Sequence, residues 1–184
     1  MKTILSFLSI IGLLTAISGT HATEHTLHAH QHGTLKLEMA VDQNKVEIDL
    51  DGPAESFLGF EYLPKNDKQK EIFKGHQLMW NNNLSSLVAF DQKVKCVVKE
   101  TSFKQVLDKE EPLVAKKMNK KEEGVHSDIE ASVKLECALN LSGSEVTISL
   151  RKVFPKIKKL LVEIVGNEAS SVDIIKDIQT FKIK

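Results

Sequence analysis

Seven histidines occur in the 184 residues, and four of them, His25, His28, His30 and His32, fall within one eight-residue stretch. Neutral imidazole is the commonest metal ligand among side chains, so the cluster points to metal binding, with zinc as the leading ion. His30 and His32 are two apart. If the first strand extends back through Gly33, they continue the parity of Lys36 and Glu38, and their imidazoles emerge on the polar face about 6.5–7 Å apart. That separation lets two side chains reach one ion with Zn–N near 2.0–2.1 Å. His126-Ser127-Asp128 offers a second pair, opposite in parity to Ile129 and Ala131. Pairing the two strands would bring three imidazoles and a carboxylate together, completing a tetrahedral shell or leaving water on an open position.

Each group also has a plainer reading. His25 and His28 read equally as solvated tail. His126 and Asp128 fit a polar strand face beside a loop. His76 falls on an apolar helix stripe, where a satisfied core histidine is expected.

Compartment decides which chemistry is open to the chain. Met1-Lys2 gives a short positive start, Ile4 to Ile17 is almost entirely apolar, and Thr20-His21-Ala22 suits signal-peptidase cleavage after Ala22. The apolar run of roughly 14 residues falls short of the ~20 that cross a bilayer as a helix. A signal peptide over 1–22 and a periplasmic protein, with no stable membrane insertion after cleavage, are therefore expected. Cleavage would leave 24 basic against 25 acidic side chains, a balance that argues against nucleic acid or an anionic membrane as partner. It would also begin the chain Thr23-Glu24-His25. A free amine, two amide nitrogens and one imidazole can enclose Cu(II) or Ni(II) in a square plane, so copper or nickel at the N-terminus is a secondary expectation. Cys96 and Cys137 survive cleavage. In an oxidising compartment this pair is most simply a disulfide; the competing reading is a thiolate metal pair, although no CxxC spacing holds the sulfurs together.

The elements that must position these groups follow from periodicity. Leu35, Leu37, Met39 and Val41 alternate with Lys36 and Glu38, and after Asp42-Gln43-Asn44 the pattern resumes as Val46, Ile48 and Leu50 against Glu47 and Asp49. This predicts a hairpin with one wet face. Gly52-Pro53 ends it, Gly59 and Pro64 mark a turn region, and Asn66 or Asp67 caps a helix running to about Trp80, with Ile72, Phe73, His76, Met79 and Trp80 along one stripe. Val94, Cys96 and Val98 share one face of a further strand, and Ile129, Ala131, Val133, Leu135 and Cys137 one face of another, so both cysteines are expected to point to the core. Lys109 to Gly124 reads as a mobile, exposed charged loop. Leu150, Val153, Phe154 and Ile157 have helical spacing that Pro155 interrupts. Strands are expected over Leu160 to Val165, Val172 to Ile174 and Phe181 to Ile183, with a turn at Gly166-Asn167. The fold class is α+β: a mainly antiparallel sheet, one principal helix and a cysteine bridge between strands. The domain division is a leader over 1–22, a His-rich segment over 23–33 and a single domain over 34–184 with its loop at about 109–124.

The string His30-Gln31-His32-Gly33 with Leu35-Lys36-Leu37 and Val41-Asp42 resembles the opening of the zinc-regulated periplasmic ZrgA-like proteins. Gly52-Pro53-Ala54 leading to Gly59-Phe60-Glu61-Tyr62-Leu63-Pro64 is similar as well, as are His126 to Ala131 ending at Cys137 and the late Phe154-Pro155. The resemblance runs in register over nearly the whole chain after the leader. It implies a periplasmic zinc-binding component of zinc acquisition, with His30, His32, Glu61, His126 and Asp128 as the metal set and the cysteines as a structural bridge. Two positions depart from the family pattern. Tyr62 stands where members often carry histidine, and Lys109 to Gly124 holds lysine and glutamate but no histidine, which argues against metal storage.

Three functional classes are open to such a chain. A binding protein would capture zinc and pass it to a zinc transporter component. An exported structural or interaction domain would carry a decorative histidine tail. A zinc hydrolase would need an open coordination position and a base such as Glu61 or Glu130, but the chain has no HExxH and no nucleophile elbow, so an enzyme is not expected. Because imidazole must be neutral to ligate, affinity is expected to fall as pH drops through the ordinary histidine range near 6.5.

Overall fold

The structure, a computed structural model, describes residues 32–107 and 126–184. The expected leader, the Thr23–His25 motif, His25, His28 and His30, and the charged loop at 109–124 lie outside the described residues. The alternating opening folds as the antiparallel hairpin β1 (Thr34–Asp42) and β2 (Lys45–Pro53), turning at Gln43 with φ 54°. The remaining strands are β3 (Val88–Phe90), β4 (Val97–Leu107), β5 (Ser127–Glu136), β6 (Glu145–Ile148), β7 (Lys159–Val165), β8 (Ala169–Ile174) and β9 (Gln179–Lys182). Six of the strands form one sheet in the order β4-β5-β2-β1-β7-β8, and β3-β6-β9 form a smaller one. All pairings are antiparallel except β1 with β7, which is parallel. Leu37, Ile48, Ile129 and Val162 represent the dry face of the large sheet, and Glu38, Glu47 and Glu130 its wet one. This is the α+β, antiparallel-dominated class that the alternation predicts.

Among the described residues three helices accompany the sheets: α1 (Ala54–Leu58), α2 (Asp67–Asn82) and α3 (Leu150–Val153). Asn66 caps the principal helix, α2, its side chain accepting from Gln69 N at 3.0 Å, which satisfies one of the donors a helix start leaves unpaired. Trp80 is fully buried and donates its indole N–H to Ser132 O at 3.1 Å. The rings of Phe57, Phe73 and Trp80 surround Phe103 of β4, joining both helices to the dry face. Among the described residues no helix is long and apolar enough to cross a membrane.

Cys96 and Cys137 form a disulfide across 41 positions, a loop whose closure contributes about 4 kcal/mol on the chain-entropy model. The strand expected through Val94, Cys96 and Val98 is corrected, however. Val94 ends a single 3-10 turn, Lys95 takes a left-handed φ of 48°, and β4 begins only at Val97. Val98 is exposed, Cys96 half-buried and Cys137 buried. A bulge between Val98 and Glu100 then shifts the pairing of β4 with β5 by one residue. Side chains alternate with a period of two, so one inserted residue exchanges the faces. The odd-numbered Phe103 and Gln105, paired with Ala131 and Ile129, take the dry side.

Two further expectations fail. β1 starts at Thr34, because Gly33 turns the chain with φ +81°; His32 therefore lies in a turn rather than on a strand face with Lys36. β1 and β5 do not pair either: β2 lies between them. Helix α1, β3 and β6 are additional to the elements expected; β3 and β6 are short, at 3 and 4 residues, too short to leave a periodic signal.

His76 sits on the inner stripe of α2, edge-on to Phe154 with ring centroids 5.0 Å apart. Burial holds its imidazole below the ordinary value of 6.5, and Nδ1 has no hydrogen-bond partner among the described residues. The unfolded chain therefore takes up this proton first as pH falls. Stability is expected to drop as pH descends from about 6.5 toward the lower folded value. His76→Phe should flatten that segment of the pH–stability curve in urea titrations, and an unchanged curve would count against a buried neutral imidazole.

Candidate metal centre

Since β2 is antiparallel to both β1 and β5, its end lies beside their beginnings: Lys36 stands opposite Asp51, and Asp128 opposite Pro53. His32 lies just ahead of β1, and His126 immediately precedes β5. Glu55 lies beyond β2 in the first turn of α1, and Glu61 in the segment between α1 and α2. Four chain segments therefore deliver four candidate donors to one end of the sheet.

His32 Nδ1 lies 2.8 Å from Glu55 Oε2 and 3.5 Å from Glu61 Oε1. The second oxygen of Glu61, Oε2, is 3.0 Å from His126 Nε2. One carboxylate thus stands between the two imidazoles. The donor atoms of His32, Glu55 and Glu61 all fall within 4.8 Å of one another. A tetrahedral zinc with ligands at 2.0–2.1 Å holds its donors roughly 3.3 Å apart, so the His32 contacts bracket the spacing such an ion imposes. Imidazole nitrogen and carboxylate oxygen are also the donors that zinc accepts.

The backbone beside these candidate donors is fixed by hydrogen bonds. Gly33 N donates to Ser56 Oγ at 3.1 Å, and Gly33 O accepts from Lys158 N at 2.8 Å and Lys159 N at 3.0 Å. His32 is thereby tied to α1 on one side and to the start of β7 on the other. Helix α1 ends on Gly59 in the left-handed region, φ 84°, with its N–H donating to Glu55 O, which turns the chain back toward the sheet. Glu61 O then accepts from Ser127 Oγ at 2.5 Å, and Tyr62 O from Gln105 Nε2 at 2.9 Å. Tyr62 lies with its ring 6.0 Å from that of His126, and Lys65 Nζ sits 4.7 Å from the Tyr62 ring centre.

Of the residues that the sequence singles out, the structure brings His32, Glu61 and His126 together. Asp128 is placed in β5, level with Pro53; neither it nor His126 belongs to the His32–Glu55–Glu61 group, which His126 joins through its contact with Glu61. His30, His25 and His28 are outside the described residues. Glu55 is the member of the group that the sequence did not single out. Its signal was its position just past the hairpin end, which an antiparallel hairpin must return to the level where β1 begins.

The model of the ZrgA family zinc uptake protein matches residues 29–183. The chain belongs to that family. Comparison with curated proteins returns no match. ZrgA membership and the His/Glu group are both consistent with zinc, and the matched span takes in all four converging side chains. Tyr62, where the ZrgA-like pattern often carries histidine, packs beside His126 instead of adding an imidazole to the group.

Gly33 is the hinge of this arrangement. A Cβ there would stand 3.0 Å from Lys158 Cγ and 3.3 Å from Lys156 O, in a backbone conformation that side chains rarely adopt. Gly33→Ala is expected to cost about 1–2 kcal/mol and to displace His32 from the two carboxylates. Urea melts and zinc titration check this; wild-type values in both would show that His32 does not depend on the turn.

Proposed function

We propose that this protein is an exported, periplasmic zinc-binding component of zinc acquisition, which captures one zinc ion and passes it to a transporter component. The ligands are His32, Glu55 and Glu61, with His126 turning in from the far oxygen of Glu61 as the fourth donor. The observation that carries the reading is the placement of one carboxylate, Glu61, between imidazoles nearly a hundred positions apart in sequence.

Accessibility supports transfer rather than permanent structural retention. The side chains of His32 and His126 are 54% and 39% exposed, and that of Glu61 25%, so a partner can approach the ion directly. A buried, closed shell would suit a structural zinc. Ion pairing at such exposure contributes little by itself, and affinity must come from coordination. Binding is favoured over hydrolysis by the engagement of Glu61: both its oxygens face imidazoles, leaving neither directed at a substrate-activating water. Export is supported by the apolar Ile4–Ile17 segment and by the disulfide, which is the ordinary state of a cysteine pair in an oxidising compartment.

Calorimetric titration of the purified protein with zinc tests the site. One equivalent is expected, and Glu61→Ala should weaken it by about 100-fold or more, since even an outer-shell partner is worth 10–100-fold. His32→Ala should act in the same direction. Unaltered zinc affinity in both variants would remove the reading.

A further inference from the structure

Among the described residues the two buried polar side chains are Ser56 and Ser127, 3% and 2% exposed. Each is the chain neighbour of one proposed ligand and hydrogen-bonds the backbone of another ligand-bearing segment. Ser56 comes directly after Glu55 and accepts from Gly33 N, next to His32. Ser127 comes directly after His126 and donates to the carbonyl of Glu61. We infer that Ser56 and Ser127 are positioning residues that latch the four segments in pairs, His32 to Glu55 and His126 to Glu61, so that the ligands converge before zinc arrives. This rests on the zinc-binding reading above.

The Ser127 latch has a third member. Gln105 of β4 donates to Ser127 Oγ at 2.7 Å and to Tyr62 O at 2.9 Å. The hydroxyl therefore accepts from Gln105 while donating to Glu61 O, and two successive carbonyls, Glu61 and Tyr62, are held from the sheet. With their backbone fixed inward, the Glu61 and Tyr62 side chains meet His126 on the open side. Gln105 reaches this point because it pairs with Ile129 and thus sits diagonal to Ser127 on the same face. A site whose ligands are already held needs less ordering when the ion binds, and that saving appears as affinity.

Zinc affinity is measured for Ser56→Ala, Ser127→Ala and Gln105→Met in the full chain, beside Ile148→Val, a buried change in the second sheet that serves as a stability control. Expected are one zinc retained and a Kd raised about 10-fold in each latch variant. Cobalt(II) absorption should be altered, and near-wild-type affinity should return in Ser127→Thr, which restores the hydroxyl at a strand position suited to β-branching. The inference is overturned if folded Ser56→Ala and Ser127→Ala bind zinc as wild type does, or if Ile148→Val raises Kd equally. Gln105→Met decides the Ser127 latch where Ser127→Ala does not fold. Weakened zinc binding in Glu61→Ala together with a wild-type Kd in the latch variants rejects the latches alone; a wild-type Kd in Glu61→Ala rejects the site itself.

Discussion

Because β2 runs antiparallel to β1 on one side and β5 on the other, one end of the sheet collects the starts of two strands and the end of the strand between them. Two inter-strand steps of about 4.8 Å separate β1 from β5. The space at this end is occupied by α1 and the segment carrying Glu61, into which β2 leads. The carboxylate occupies the middle of the span and meets an imidazole at each oxygen. The hydrophobic alternation that buries Leu37, Ile48 and Val133 therefore also sets the level at which the polar groups meet, since a slip of one residue in β1 or β5 would turn a whole strand inside out.

Much of this was legible in the residues. The β1–β2 hairpin, the cap and stripe of α2, the dry face of β5 and the strand over β7 follow from periods of two and 3.6. Of the side chains that converge at this end of the sheet, His32 and His126 were singled out by residue type and Glu61 through family resemblance. Strand pairing was not. Parity placed His32 on the face of Lys36, and Gly33, with its positive φ, interrupts the strand between them. Periodicity describes a strand alone and is silent on its neighbour, so the insertion of β2 between β1 and β5 was not accessible to it.

The bulge in β4 is the sharpest example. Continuing the parity of Cys96 and Val98 along β4 would put Lys104 on the dry face and Gln105 in water. The extra residue near Lys99 reverses this, burying Phe103 and turning Gln105 toward Ser127. Nothing in the local composition announces the reversal; it follows from burying Phe103 in place of a lysine. The disulfide at the opposite end of β4 and β5 fixes where the pairing starts, so the staple and the bulge together determine which side chain of β4 reaches Ser127.

β4 leaves the sheet at Leu107, directly opposite Ser127 where β5 begins, one residue from His126. The chain between those points departs and returns at paired positions, so its ends are held together whatever its length. This makes it a natural graft point. Donor residues inserted there would be tethered beside His126 and Glu61 without shifting the register of any strand, so the set of candidate donors could be rewritten while its scaffold stayed the same.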